Sequence, residues 1–170
     1  MARIIFILLF SLHVFPAVAK TVKWKDVRFK IIVPENWREA NDLYGIPVTL
    51  LGPSVSPKPR AIVQIIPTDA PKVPMSEKDA RGFGEKYAEG RRNWVREQGG
   101  EIYEILPGKF DDGKLWAGVS YRLNQKSYLE RTYFANCPKK LYHLKIVLNF
   151  ENRNELPECE SIVRSFACAD

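Results

Sequence analysis

Residues 101–150, EIYEILPGKFDDGKLWAGVSYRLNQKSYLERTYFANCPKKLYHLKIVLNF, decide the fold. Four runs inside this stretch, 101–107, 115–123, 127–135 and 140–150, are rich in β-branched and aromatic residues. That composition favours strands. The gaps between them carry turn residues: Asp111-Asp112-Gly113, Asn124-Gln125-Lys126 and Cys137-Pro138-Lys139. Links this short join antiparallel neighbours, so the four runs read as a meander. In the last run Tyr142, Leu144, Ile146, Leu148 and Phe150 share one face, and His143, Lys145 and Asn149 share the other. A period of two with one apolar side predicts a sheet buried more deeply on that side.

Upstream, residues 27–33 (VRFKIIV), 46–51 and 61–66 (AIVQII) read as three more strands. Pro-rich loops occupy 52–60 and 67–74. A helix is predicted from Ser76 to Gln98, with Ser76 and Asp79 as a capping box and Phe83, Tyr87, Trp94 and Val95 on its apolar face. Gly99-Gly100 ends it. Gly82, Gly84 and Gly90 weaken it by about 1 kcal/mol each relative to Ala, so a start after Gly84 is an alternative. A closing helix covers 155–166, with Leu156, Cys159, Ile162, Val163 and Phe166 on one face. No repeat or second domain is visible. The elements predict one α+β domain over residues 20–170, with a central, largely antiparallel sheet flanked by helices.

Residues 1–19 stand apart. Arg3 precedes an apolar run from Ile4 to Phe15, and Ala17-Val18-Ala19 has the small-x-small pattern of a cleavage site. The run is too short for the roughly 20 residues that span a bilayer. It is expected to be a signal peptide, cleaved after Ala19, that leaves a periplasmic or secreted chain beginning at Lys20. Three cysteines then meet an oxidising compartment, and the simplest count is one disulfide and one thiol. Chain reach ranks the pairings. The last strand runs roughly 33 Å away from Cys137. The closing helix returns roughly 18 Å, and Ala167-Cys168 adds more. Cys137–Cys168 is therefore the expected bond, with Cys159 a buried free thiol near the far end of the strand.

The formal charge of +6 is spread along the chain and permits contact with anionic material. Nucleic acid is not an expected partner, because no groove-reading motif accompanies the charge. Arg91, Arg92 and Arg96 form the densest basic cluster and are the candidate anion-binding group. Trp37 and Tyr44 flank the loop Pro34–Gly45 and are the candidate rim of a binding loop. After cleavage His143 is the single histidine, expected to be a partly exposed strand residue. No metal site, cofactor or catalytic residue is predicted: zinc spacing and a GxSxG turn are absent, and Asp111-Asp112-Gly113 lacks the ligand spacing of a calcium loop.

Two short patterns carry a resemblance. Phe29-x-Ile31-x-x-Pro34-x-x-Trp37 is similar to the strand-then-loop opening of PsbP-like domains. The closing Ile162-Val163-x-Ser165-Phe166, with the middle helix, Gly99-Gly100 and the meander, resembles their later course. The likeness runs over nearly all of residues 22–167, as a pattern of elements. It extends to a wider group that holds photosystem accessory proteins, DcrB-type bacterial envelope proteins and Ran-binding transport factors. The resemblance implies a PsbP-like α/β/α sandwich and an accessory or binding role, with no shared catalytic residues to carry over. The expectation is an exported, non-enzymatic binding or accessory protein of the bacterial envelope, whose partner is an envelope protein. One alternative is a peripheral binder of anionic membrane or envelope polymer. Another is an envelope hydrolase, which a pocket with convergent polar groups would favour.

Overall fold

The computed structural model describes residues 17–24, 27–53, 60–69, 77–111 and 114–169. The meander forms as its composition predicts. Strands β6 (Glu101–Asp111), β7 (Lys114–Leu123), β8 (Lys126–Asn136) and β9 (Lys140–Asn149) are consecutive antiparallel neighbours. Asn124 and Gln125 take φ of 51° and 64°, the left-handed pair that a two-residue hairpin uses. The hairpin before it closes at Asp111 and Lys114, while 112–113 lie outside the described residues.

The meander supplies four of the seven strands of a larger sheet. Strands β3 (Arg38–Leu43), β4 (Ile46–Leu51) and β5 (Ile62–Asp69) continue it beyond β9 in the order β3-β4-β5-β9-β8-β7-β6. Strand β3 was not expected: residues 34–45 read as a loop because REANDL is poor in strand formers. An edge strand tolerates that composition, since its charges face water and discourage pairing with other chains. The hairpin turn to β4 places Tyr44 and Gly45 at φ of 52° and 77°.

The run at 27–33 joins a different sheet. Strand β2 (Val27–Pro34) lies between β1 (Ala17–Trp24) and a short β10 (Ala167–Cys168), all antiparallel. The expected cleavage point falls inside β1, so a chain beginning at Lys20 keeps the pairs from Lys20↔Ile31 to Trp24↔Val27. Residues 1–16 lie outside the described residues.

The main core fills the space between one face of the large sheet, β2 and the closing helix. Tyr142, Leu144, Ile146 and Leu148 of β9 enter it, as do Phe29, Ile31 and Val33 of β2. Phe150 departs from the expected face. It begins a 3-10 turn (Phe150–Glu155), whose first amide group is capped by Asn149 Oδ1 accepting from Glu151 N at 3.1 Å, and it stays exposed. Helix α2 (Leu156–Arg164) follows, two residues shorter at its end than the spacing suggests. Its Cys159, Ile162 and Val163 are buried, and the Phe166 ring packs at a tilt on Phe29 with centroids 5.3 Å apart. Ser165 Oγ accepts from Ile32 N at 2.9 Å and donates to Ile162 O at 2.6 Å, so α2 is fastened to β2. The two short patterns at opposite ends of the chain thus meet in one core.

Helix α1 (Glu77–Glu97) covers the other face over β6 and β7. It runs through Gly82, Gly84 and Gly90 without a break; Ser76 of the expected capping box lies outside the described residues. Val95 packs on Val119 and Tyr121, and Phe83 on Phe134 and Leu115. Trp94 is only partly covered, edge-on to Tyr121 at 5.7 Å. At the helix end Gly99 N donates to Arg96 O at 2.9 Å and Gly100 N to Val95 O at 2.8 Å, a Schellman closure with Gly99 at φ 69°.

The expected disulfide is present. Cys137, in the link before β9, is bonded to Cys168 of β10 across a Cα separation of 5.6 Å, and Cys159 is a buried free thiol. Closing a chain segment of 31 residues stabilises the fold by about 3–4 kcal/mol through the unfolded state.

Two consequences are measurable. A Cβ at Gly100 would lie 2.5 Å from Arg122 O and 2.9 Å from Val95 Cγ1. Gly100→Ala should therefore cost about 1–3 kcal/mol, read as a lower urea midpoint with an unchanged slope. Burial pushes the Cys159 thiol from 9.0 up to about 12, and burial likewise pushes Tyr133 from 10.0 to about 12. The unfolded thiol ionises near 9 while the folded one keeps its proton, so stability is complete below pH 9 and is lost as pH rises towards 12. Urea midpoints should fall first between pH 9 and 10, and that first fall should shrink in Cys159→Ala; an equal fall in both proteins would contradict the assignment.

Candidate functional site

Adjacent residues of β8 point to opposite faces of the sheet. Glu130 faces α1 and Arg131 faces α2. Glu130 is 2 % exposed, and a carboxylate so buried needs donors around it. Three reach it. Arg91 Nη2 donates to Oε2 at 3.0 Å, Lys145 Nζ to the same oxygen at 2.9 Å, and the Tyr87 hydroxyl to Oε1 at 3.2 Å. Burial pushes Tyr87 well above the usual phenol range, so it stays a donor. The Arg91 guanidinium also lies over the Trp94 ring at 4.3 Å and over Tyr121 at 5.5 Å.

These groups form one wall of a cavity of about 420 Å³ where α1 meets β5, β8 and β9. Its apolar part is Ile66, Phe83 and Phe134. Phe83 and Phe134 meet edge to face at 4.5 Å, and Phe134 meets His143 at 4.8 Å. Lys86 adds a further cation at the α1 side. His143 Nε2 is 3.4 Å from Thr68 Oγ1, and burial pushes its pKa below the usual 6.5, which leaves the ring neutral at pH 7.

The sequence-predicted residues are therefore dispersed. Of the basic cluster, Arg91 turns inward to Glu130 and is withdrawn from any flat anionic surface. Arg92 and Arg96 stay exposed, with Arg96 donating to Asn93 Oδ1 at 3.0 Å. Trp37 and Tyr44 do not share a rim. Trp37 is 4 % exposed inside the main core, where its indole N–H donates to Glu158 Oε1 at 2.9 Å, whereas Tyr44 is 96 % exposed at the hairpin tip. Packing of the indole against α2 accounts for this separation: the ring's apolar area is worth more in the core than at a rim. Cys137 and Cys168 are joined away from the cavity. Among the described residues no three His, Cys, Asp or Glu come together in a way that holds a metal ion.

Sequence reasoning placed Tyr87 on the helix face and Lys145 on the polar face of the last strand, but did not assign Glu130, Lys145 or Tyr87 to a site. The available signal was Glu130-Arg131 itself, a charged pair in the middle of SYLERTYFA. Two adjacent charges in a strand whose flanks are apolar imply an opposite charge waiting on each face.

No family model matches this sequence, and no curated protein is significantly similar to it. Solved structures are similar in fold. Cyanobacterial PsbP (CyanoP) of Synechocystis superposes with a TM-score of 0.57 at 13% identity, covering 92% of this chain and 96% of that one. LpqN of Mycobacterium tuberculosis, described as involved in cell envelope biogenesis, gives 0.57 at 10% identity over 91% and 92%. The Ran-binding protein Mog1p of Saccharomyces cerevisiae gives 0.53 at 11% identity over 91% and 97%. This chain has the PsbP-like fold: a largely antiparallel sheet with one helix packed on each face.

Proposed function

We propose that this chain is an exported, non-enzymatic binding or accessory protein of a bacterial envelope. The observation that carries the reading is the fold, shared over 92% of the chain with a cyanobacterial PsbP and over 91% with a protein involved in cell envelope biogenesis. The signal-peptide pattern of residues 1–19 and the Cys137–Cys168 bond support an oxidising compartment. Among the described residues no helix is long and apolar enough to cross a membrane. The cavity beside α1 does gather polar groups, the feature that would favour a hydrolase. Those groups hold one another, however: Glu130 accepts from three side chains and is not presented as a base. Tyr44, an aromatic ring held almost wholly in water, is the side chain best placed to meet a protein partner.

One experiment tests export and binding together. The full chain, with a photo-crosslinking residue in place of Tyr44, is expressed in a bacterial host. It should leave the cytoplasm, begin at Lys20, and after unfolding show one reactive thiol, Cys159. Illumination should give a discrete adduct with an envelope protein. Cytoplasmic retention with residues 1–19 intact would overturn export, and export without an adduct would overturn the partner reading.

Peripheral contact with an anionic membrane or polymer is a second reading, supported by the exposure of Arg92 and Arg96 on the outer side of α1. Retention on anionic vesicles at low salt should then drop in the double charge reversal Arg92→Glu/Arg96→Glu and differ little at high salt. Equal retention of variant and parent at low salt would remove this reading.

A further inference from the structure

The cavity beside α1 has an imbalance that the fold alone does not require. Three basic side chains, Lys86, Arg91 and Lys145, line it against one carboxylate, Glu130. With His143 neutral, the lining carries a formal excess of two positive charges. Arg91 and Lys145 are held in place by Glu130, yet Lys145 gives only one of its three N–H donors to it. Lys86 has no carboxylate within ion-pair distance among the described residues. The same cavity has an aromatic part, with Phe83 and Phe134 at 4.5 Å and the His143 ring 4.8 Å from Phe134.

Each part selects against a class of ligand. A cation would meet net positive charge. A neutral apolar molecule would cover the ammonium groups and give nothing in return, which is costly. A bare small anion would leave the aromatic part wet. We propose that this cavity binds a small aromatic carboxylate, its ring against Phe83 and Phe134 and its carboxylate between Lys86 and Lys145. A volume of about 420 Å³ is within the range of pockets that take such molecules. The aromatic walls offer edge-to-face contacts to a ligand ring, and the cations offer charge-assisted hydrogen bonds. Glu130 has a positioning part: by accepting from Arg91 and Lys145 it fixes the cations before the ligand arrives, which lowers the cost of binding. The assignment concerns the folded chain and does not depend on export or on a protein partner.

The test uses purified chain and 2-naphthoate as the probe, followed by titration calorimetry. Two controls separate the parts of the argument: 2-naphthalenemethanol has the ring without the charge, and acetate has the charge without the ring. Saturable one-to-one binding of naphthoate is expected, with both controls at least about tenfold weaker. Lys86→Gln should weaken naphthoate binding about 3–10-fold and Lys145→Gln about tenfold or more, while Lys126→Gln, at the remote β7–β8 turn, should change nothing. Lys86 is exposed on α1, so its variant keeps the fold even where Lys145→Gln loses stability. The proposal is overturned by absence of saturable binding to the parent, by equal binding of the alcohol or of acetate, or by full affinity in Lys86→Gln.

Discussion

The charged pair Glu130-Arg131 in β8 ties the three layers together. One residue points to each face of the sheet, and the helix on that face answers it. Arg91 of α1 reaches Glu130 on one side, and Glu160 of α2 pairs with Arg131 on the other. The Tyr133 hydroxyl adds a second donor to Glu160 at 2.9 Å. Burying either charge without its partner would cost several kcal/mol. A one-residue slip of β8 would send both charges to the wrong helices, so the pair fixes register as well as layer order.

Strand β9 supplies the apolar counterpart. It is the central strand of seven, and its alternation assigns each neighbouring side chain to a layer. On the α2 side it offers Leu144, Ile146 and Leu148, all fully buried. On the α1 side it offers His143 and Lys145, because α1 lies over β6 and β7 and leaves room above β9 and β5. The cavity is thus a product of unequal cover: one helix spans part of a wide sheet. Polar side chains in that row stay partly wet, and those nearest the helix pair with it.

The C-terminal segment closes the main core by three means of different kind. Apolar contacts bring Ile162, Val163 and Phe166 onto β2 and β9. Ser165 and Trp37 bridge the layers with hydrogen bonds at 2.9 Å each. The Cys137–Cys168 bond then fixes the chain end beside the turn that starts β9. The covalent link restricts the unfolded chain, whereas the contacts stabilise the folded one, and so their effects are largely separate.

Local composition by itself determined the meander, both helices, the stop at Gly99-Gly100 and the inward face of β9, because each depends on periodicity or on turn residues close together in sequence. Chain reach was enough to pair Cys137 with Cys168, since strand rise and helix rise are fixed lengths. Only the tertiary structure decided the rest. Strands β1, β3 and β10 form because partners lie beside them, and REANDL carries no local preference for pairing. Arg91 and Arg92 are adjacent in sequence, yet 91 faces a buried carboxylate and 92 faces water, a division set by where β8 passes beneath the helix. Trp37 is in the core and Tyr44 in solvent for the same reason: α2 returns over one and not the other. The cavity and its excess of cations arise from α1, β5 and the β8–β9 hairpin, three parts of the chain far apart in sequence, so no single stretch could announce them.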